Sequence, residues 1–223
     1  MDKIKVENLS HYYQDGNSRK RVLKDINITF ETGKFYAILG ESGSGKTTLL
    51  SLISGLDSVE EGNIYFNDKS VKKIGLNNYR LKNVNIIFQS YNLIPYMTAI
   101  ENVIVAMDIM NIKYKNKKEK ALELLNSLGI DKQTASRTIL KLSGGEQQRV
   151  AIARSLVGDV PFIMADEPTG NLDEETESKI IDIFKELVKK GKGVIVVTHS
   201  NNVAQNADEI YSIKGGDITR KKN

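Results

Sequence analysis

Cysteine is absent from this chain of 223 residues, and histidine occurs only twice. The absence of cysteine excludes disulfide bonds and thiolate metal sites, so we expect a protein of a reducing compartment, with the cytoplasm as its default location. Long apolar runs are missing too, since no segment approaches the length of about 18 residues that a membrane-spanning helix needs. Residues 1–5 also lack the apolar stretch of a signal peptide.

The charges of the chain nearly balance, because 32 Lys and Arg residues against 28 Asp and Glu residues leave a net charge of +4. Such a small and dispersed excess does not indicate a nucleic-acid partner. The lysine-rich stretch 113–120 has no interleaved aromatic residue beyond Tyr114, so a solvated loop and helix start explain it better than an anionic partner. Length and composition indicate one globular domain, or one domain with a subdomain.

Alternating apolar residues predict two N-terminal strands, around residues 4–9 and 26–30. The stretch 11–16 between them is polar, contains Gly16 and two tyrosines, and is predicted to be a loop. The other predicted elements are strands at 35–39, 64–66 and 84–88, helices at 99–110, 117–128 and 144–157, a strand at 162–165, a helix at 174–190, a strand at 194–197, and a hairpin of strands 209–213 and 217–220. This order describes a β-rich and α/β core that is interrupted by a helical insertion of about 70 residues.

Residues 40–48 match the pattern G-x-x-x-x-G-K-[ST] and lie between a predicted strand and a predicted helix. The glycines let the backbone wrap closely, so that successive N–H groups and the helix N-terminus point at an anion. Lys46 supplies a positive charge for the β- and γ-phosphates of a nucleotide, and the Thr47 hydroxyl is a ligand for Mg²⁺. A plain glycine turn is the alternative, which the flanking strand and helix disfavour. The residues predicted to bind the nucleotide here are Gly40, Ser42, Gly43, Ser44, Gly45, Lys46, Thr47 and Thr48.

Further polar side chains follow predicted strands, at the edge where open α/β sheets bind their ligands. Asp166 is placed to bind Mg²⁺, and Glu167 to hold the water that attacks the γ-phosphate. Gln89 ends another strand, and its amide can reach Mg²⁺ or the attacking water. His199 follows a third strand, where it could donate to the γ-phosphate. For Gln89 and His199, a solvated or structural role is the plain alternative.

The stretch 142–149, Leu-Ser-Gly-Gly-Glu-Gln-Gln-Arg, is the most specific signal in the chain. Its Ser-Gly-Gly turn opens a predicted helix, so Ser143, Gly144 and Gly145 offer a second set of anion-ready groups. An ordinary helix cap, with Glu146 completing it, explains the turn only in part. One nucleotide does not need two phosphate-binding helix ends in one chain unless the second serves a neighbouring molecule.

Taken in order, these motifs identify a chain that resembles the ATP-binding subunit of an ABC transporter over essentially its whole length. The matching motifs are the Walker A loop at 40–47, the Q-loop residue Gln89, the signature at 142–146, the Walker B strand ending in Asp166 and Glu167, the D-loop Asn171, Leu172 and Asp173, and the switch histidine His199. Tyr13 matches the aromatic position that stacks on adenine, and Tyr12 is the second choice for it.

The resemblance implies a P-loop NTPase of the α/β class, with a RecA-like core, an N-terminal antiparallel β-subdomain and a helical insertion. Within a single ABC ATPase domain at 1–223, the catalytic core would comprise 1–89 and 160–223, and the helical signature-bearing subdomain 90–159. ATP and Mg²⁺ are the implied cofactors.

The resemblance also implies roles for the site residues. Glu167 would be the general base or position the water, and Lys46 and His199 would stabilise the γ-phosphate. Thr47, Gln89 and Asp166 would arrange Mg²⁺. Two subunits would pair head-to-tail, so that each ATP lies between the Walker A loop of one and Ser143 and Gly145 of the other.

The partners implied by the resemblance are a second copy of the chain, a separate membrane permease and an accessory extracytoplasmic protein, but no nucleic acid. The permease would dock on the helical subdomain and on residues 91–100, which would hold the ATPase at the inner face of the cell membrane. The stretches 142–153 and 165–173 resemble the group of lipoprotein-release, macrolide-efflux and antimicrobial-peptide export ATPases. We therefore expect ATP hydrolysis that drives export or extraction of a peptide, drug or lipoprotein. The alternative is a regulatory ATPase that acts through a membrane partner on cell-wall hydrolases.

Overall fold

The computed structural model describes residues 1–16, 18–170 and 172–221, and it places them in two β-sheets with helices around them. The strands are β1 (Lys3–Asp15), β2 (Ser18–Glu31), β3 (Phe35–Leu39), β4 (Glu61–Phe66), β5 (Lys69–Ser70), β6 (Val84–Ile87), β7 (Phe162–Asp166), β8 (Gly193–Thr198), β9 (Glu209–Lys214) and β10 (Asp217–Lys221). The helices are α1 (Lys46–Ile53), α2 (Val71–Ile74), α3 (Leu76–Asn83), α4 (Ala99–Ile109), α5 (Lys117–Ser127), α6 (Lys132–Ala135), α7 (Gly144–Ser155), α8 (Glu174–Lys189) and α9 (Asn201–Gln205), with a 3₁₀ turn at Ile139–Lys141.

An antiparallel sheet in the order β2–β1–β4–β5 forms the N-terminal part of the molecule. The prediction of a loop at 11–16 is wrong for most of that stretch, because β1 continues to Asp15 and pairs with β2. The register of the two strands shifts repeatedly between Val6 and Tyr12. Such irregularities break the two-residue alternation of apolar side chains, so the pattern in the sequence stops before the strand does.

A second sheet, in the order β10–β9–β3–β8–β7–β6, lies at the centre of the fold. Its strands β3, β6, β7, β8 and β9 are parallel to one another, and β10 returns antiparallel to β9. The predicted hairpin through Gly215 and Gly216 is confirmed, and both glycines have positive φ. Because β3, β6, β7 and β8 are parallel, their carboxyl ends meet at one edge of the sheet.

Both faces of the central sheet are covered at β3, β7 and β8, which explains why these strands read as nearly continuous apolar runs. β8 is buried at every position. One hydrophobic cluster joins this sheet to the antiparallel sheet and to α1, and another joins it to α4, α5, α7 and α8. The predicted α/β class, with an N-terminal antiparallel sheet, is therefore confirmed.

The helices α4 to α7 lie in the chain between β6 and β7. A capping box of Thr98 and Glu101 begins α4, and Gly129, with a φ of +74°, follows the end of α5. The predicted helices at 99–110, 117–128 and 144–157 are present with ends one or two residues shorter. No helix in the described ranges combines the length and apolar character that crossing a membrane requires.

Candidate functional site

The loop between β3 and α1 is tightly wrapped and depends on its glycines. Gly45 has a φ of +105°, which a residue with a side chain rarely adopts. A Cβ atom at Gly40 would lie 2.7 Å from the carbonyl oxygen of Ile213 and 2.4 Å from Ser44 Oγ. That hydroxyl is buried and has no hydrogen-bond partner in the described part of the chain. An unpaired buried hydroxyl in a glycine loop fits a phosphate oxygen as its missing partner.

Lys46 is the first residue of α1 and is only 7% exposed. Its Nζ donates to the carbonyl oxygens of Gly40 at 2.8 Å and Glu41 at 3.0 Å, and lies 3.7 Å from Glu167 Oε1. The loop therefore curls around the ammonium group, which holds a positive charge at the helix N-terminus, where anions are favoured.

Thr47 and Asp166 bring a hydroxyl and a carboxyl oxygen together beside this lysine. Thr47 Oγ1 donates to Asp166 Oδ1 at 3.2 Å, although the two residues lie on α1 and β7. Burial raises the pKa of Asp166 above its ordinary value, while Thr47 opposes the rise and Glu167 adds to it. Hard oxygen ligands of this kind suit Mg²⁺, which keeps waters and takes phosphate oxygens for its other positions. The described residues hold no cluster of three or more His, Cys, Asp or Glu that would bind a metal by itself.

Glu167 and His199 form the next pair along the same edge of the sheet. Glu167 Oε2 accepts the backbone N–H of His199 at 3.2 Å and lies 2.9 Å from its Nδ1. The Glu167 side chain is 12% exposed, whereas that of His199 is 67% exposed. The backbone of Glu167 is left-handed, with a φ of +43°, which is uncommon for a residue other than glycine. Lys46, Thr47, Asp166, Glu167 and His199 thus meet where β3, β7 and β8 end.

Gln89 is not brought into this cluster. β6 ends at Ile87, one residue before the end of the predicted strand 84–88, and Gln89 lies exposed in the turn that follows. Its amide makes no hydrogen bond within the described part of the chain. Gln89 lies beyond the same sheet edge as Asp166, and no hydrogen bond joins the two side chains in the described ranges.

Tyr13 and Tyr12 project from β1 in different surroundings. The Tyr13 hydroxyl lies 3.2 Å from Thr48 Oγ1, and its ring packs edge-on against His11 with centroids 4.9 Å apart. The ring of Tyr12 lies instead under the guanidinium of Arg19, whose Cζ is 4.6 Å from the centroid of the ring.

A cavity of about 390 Å³ opens in front of Tyr13 and the phosphate loop. Its lining includes Gly43, Gly45, Lys46, Thr47 and Thr48, together with Lys20 and Val22 of β2. The sequence did not single out Lys20 or Val22. Only the pairing of β2 with β1, across from Tyr13, brings them here.

The signature turn at the start of α7 lies elsewhere on the chain. Ser143 caps the helix: its Oγ accepts Glu146 N–H at 3.3 Å, and Glu146 Oε2 accepts Ser143 N–H at 2.7 Å. Ser143 and Gly144 are exposed, and in the described ranges no hydrogen bond or ion pair joins this turn to the phosphate loop.

The signature turn does touch the segment that follows β7. A Cβ at Gly145 would lie 2.5 Å from Thr176 Cγ2, so the two helices α7 and α8 are in close contact there. Asp173, in the predicted D-loop, caps α8 by accepting Thr176 N–H at 2.9 Å. Asn171 of the same predicted loop lies outside the described residues.

Comparison with known proteins links this arrangement to one family. The family profile described as "ABC transporter" matches residues 23–170. An uncharacterized ABC transporter ATP-binding protein, YclH of Bacillus subtilis (strain 168), is 47% identical over 100% of this chain and 98% of its own length. The macrolide export ATP-binding/permease protein MacB of Mannheimia succiniciproducens is 38% identical over 98% of this chain, but only over 34% of its own length.

A solved structure of a dimer has the same fold. It is described as a post-hydrolysis state of the ATP-binding cassette MJ0796 bound to ADP and Pi, from Methanocaldococcus jannaschii. It superposes with a TM-score of 0.90 at 35% sequence identity and covers 99% of both chains.

Proposed function

Because this chain belongs to the family of ABC transporter ATP-binding proteins, we propose that it works as a homodimer that binds two Mg-ATP and powers a separate membrane permease. The chain is an ABC ATPase of a transporter and hydrolyses ATP. The finer proposal concerns its assembly, its site residues and its task.

One observation carries the proposal of a composite site. The exposed signature turn is bonded only within its own helix start, away from the phosphate loop, in the part of the chain that is described. A helix N-terminus with free N–H groups is suited to an anion. The nucleotide bound by the phosphate loop of a second copy of the chain would supply that anion. The dimeric state of the MJ0796 structure supports this arrangement.

Within the site, each residue has a role that follows from its position. Bound Mg-ATP supplies the phosphoanhydride bond that is broken and the metal charge that offsets the developing negative charge. Lys46 and the loop N–H groups hold phosphate oxygens, and Thr47 and Asp166 hold Mg²⁺. Glu167 positions the attacking water and takes its proton.

Three further residues complete the assignment. His199 presents its ring beside Glu167 and would donate to the γ-phosphate. Gln89 would approach Mg²⁺ when the turn that carries it moves inward, and Tyr13 would stack on adenine in the cavity that its ring lines.

The transport partner is proposed from the relatives. The name of MacB joins an ATP-binding part to a permease, and this chain matches only a third of that protein. We therefore propose a membrane permease as the partner, which would dock on a helical subdomain at 90–159 and hold the ATPase at the inner face of the membrane. Export or extraction of a peptide, drug or lipoprotein is the proposed task. The comparisons give no support to the alternative of a regulator of cell-wall hydrolases.

Two measurements test the proposal. Lys46→Ala should abolish ATP hydrolysis, and full retained activity would contradict the assignment of the phosphate loop. Purification of the chain from native membranes should recover a membrane-spanning permease with it. A partner whose extracytoplasmic domain recruits cell-wall hydrolases, without transport, would instead favour the regulatory alternative.

A further inference from the structure

The turn that follows β6 is held in a strained conformation. Tyr91 and Asn92 both have positive φ, +61° and +49°. Asparagine tolerates this left-handed region, but a tyrosine is rarely found there. The turn closes on itself through Asn92 N–H, which donates to Ser90 O at 2.6 Å. Strain of this kind persists only where the surroundings enforce it, and it gathers at functional segments.

Arg154, near the end of α7, forms hydrogen bonds with the backbone of this turn. Its Nη2 donates to Tyr91 O at 2.7 Å and its Nη1 to Asn92 O at 2.5 Å. The guanidinium is partly buried and forms no ion pair with a carboxylate in the described ranges. Burial without a counter-charge lowers its pKa. A buried cation is unfavourable unless hydrogen-bond acceptors around it are well placed, so the two carbonyls that accept from Arg154 are its main support.

The same turn also touches the other end of α7. The Tyr91 hydroxyl lies 3.4 Å from the point where a Cβ of Gly144 would be. The turn therefore contacts the signature at the first residue of α7 and the arginine at the end of the helix. Both contacts lie on one helix of 12 residues, so this helix links the turn after Gln89 to the signature.

From these contacts we propose that Arg154 is a positioning residue for ATP hydrolysis: it locks the turn that carries Gln89 to the signature helix, so that Gln89 reaches the nucleotide only in step with the signature. This inference rests on the proposed function, since it acts through Gln89. The fork-shaped guanidinium matters because it binds two adjacent carbonyls at once. A lysine retains the charge but has one point of contact.

The inference is tested in the full chain with Arg154→Lys, Arg154→Met and Gln89→Ala as single variants, and with each arginine variant combined with Gln89→Ala. We expect kcat to fall by about 10-fold to 100-fold in both single variants of Arg154, because a small misplacement of a catalytic group has effects of this size. ATP affinity should stay within about twofold of the parent, since no hydrogen bond or ion pair in the described ranges joins this turn to the phosphate loop or to Tyr13. Hydrogen exchange at residues 90–94 should become faster. Arg137→Met is the matched control, because Arg137 is exposed and its side chain has no hydrogen bond or ion pair in the described ranges.

The combined variants separate a positioning role from a merely structural one. If Arg154 acts through Gln89, the double variant should be no slower than the slower single variant. Losses of kcat that multiply, or an Arg154→Lys chain with parental kcat, would overturn the inference. Should Arg154→Met fail to fold, Arg154→Lys decides the question. Failure of the proposed function itself gives another result, because Lys46→Ala would then retain hydrolysis whatever happens at Arg154.

Discussion

Glu167 is surrounded by groups that fix its carboxylate: Lys46 on one side and His199 on the other. We expect Glu167→Gln to lower kcat by about 100-fold or more, because a neutral amide cannot take the proton of the attacking water. ATP binding should persist, since the phosphate loop is intact, and gel filtration with Mg-ATP should show a dimer. Glu175→Gln serves as the control, as Glu175 is an exposed carboxylate paired only with Lys179 in the described ranges. A Glu167→Gln chain that turns over ATP at the parental rate would contradict the role of Glu167.

Tyr13 and Tyr12 are adjacent in sequence, and their surroundings make them separable by experiment. Tyr13→Ala should weaken ATP affinity by about tenfold or more, because stacking of a base on an aromatic ring contributes about 1–3 kcal/mol. kcat at saturating ATP should be largely kept. Binding of a fluorescent nucleotide measures the affinity, and Tyr12→Ala should leave it unchanged because Arg19 covers that ring. If Tyr12→Ala lowered the affinity for ATP and Tyr13→Ala did not, adenine stacking would be assigned to Tyr12 instead of Tyr13.

At the level of elements, Glu177 on α8 ties together three segments near the site. Its carboxylate accepts Thr169 Oγ1 at 3.0 Å and Asn202 Nδ2 at 2.9 Å. Burial alone raises the pKa of Glu177, but hydrogen bonds from Asn202, Ser200 and Thr169 outweigh it and hold the pKa below the ordinary 4.5.

A lowered folded-state pKa means that the ionised carboxylate stabilises the folded protein above pH 4.5 and loses this effect as the pH falls through the folded-state pKa. We expect Glu177→Gln to lower the free energy of unfolding by about 1 kcal/mol near neutral pH. The difference between parent and variant, measured by urea unfolding, should shrink below pH 4.5. A difference that grows on acidification would contradict the assignment.

The start of α7 offers a way to separate a helix cap from a ligand-binding role. Asparagine caps helices as well as serine does, so Ser143→Asn should unfold at the parental temperature, whereas Ser143→Ala should lose about 1 kcal/mol. We nevertheless expect Ser143→Asn to lose most ATP hydrolysis, because the larger amide changes the exposed turn that would face the partner's nucleotide. Parental activity in Ser143→Asn would reduce Ser143 to a cap.

The elements show which parts of the fold the sequence could predict. Continuous apolar runs predicted β3, β7 and β8, because these strands are buried on both faces. Since the carboxyl ends of parallel strands lie at one edge of the sheet, the same pattern also predicted that Lys46, Asp166, Glu167 and His199 lie close together. The short helices α2 and α3 were missed because they are polar except for anchors such as Tyr79, whose hydroxyl donates to Ile53 O at 3.0 Å. One buried tyrosine in a polar helix leaves no periodic apolar pattern in the sequence.

The contacts of Arg154 and the different surroundings of Tyr13 and Tyr12 could not be predicted from the sequence either. The reason differs from that for the short helices. Arg154 binds backbone carbonyls about 60 residues away, which leave no trace in residue types. The surroundings of the two tyrosines depend on irregular pairing of β1 with β2, and no side-chain pattern records the register.

At the scale of the whole molecule, the proposed composite site is tested by mixing two inactive chains. A mixture of Lys46→Ala and Ser143→Asn chains would form heterodimers, each of which contains one site with an intact phosphate loop and an intact signature. Random pairing would restore about a quarter of the sites. We therefore expect the mixture to regain hydrolysis that neither chain has alone, in a steady-state ATPase assay. Absence of any gain would indicate that each chain completes its own site.

The left-handed backbone of Glu167 has a consequence for attempts to engineer the protein. For folding alone, asparagine or glycine suits a φ of +43° better than glutamate does. Selection for heat resistance and selection for turnover therefore act in opposite directions at this one position. A directed-evolution library that is selected only for survival at high temperature would accumulate chains that are more stable but no longer hydrolyse ATP.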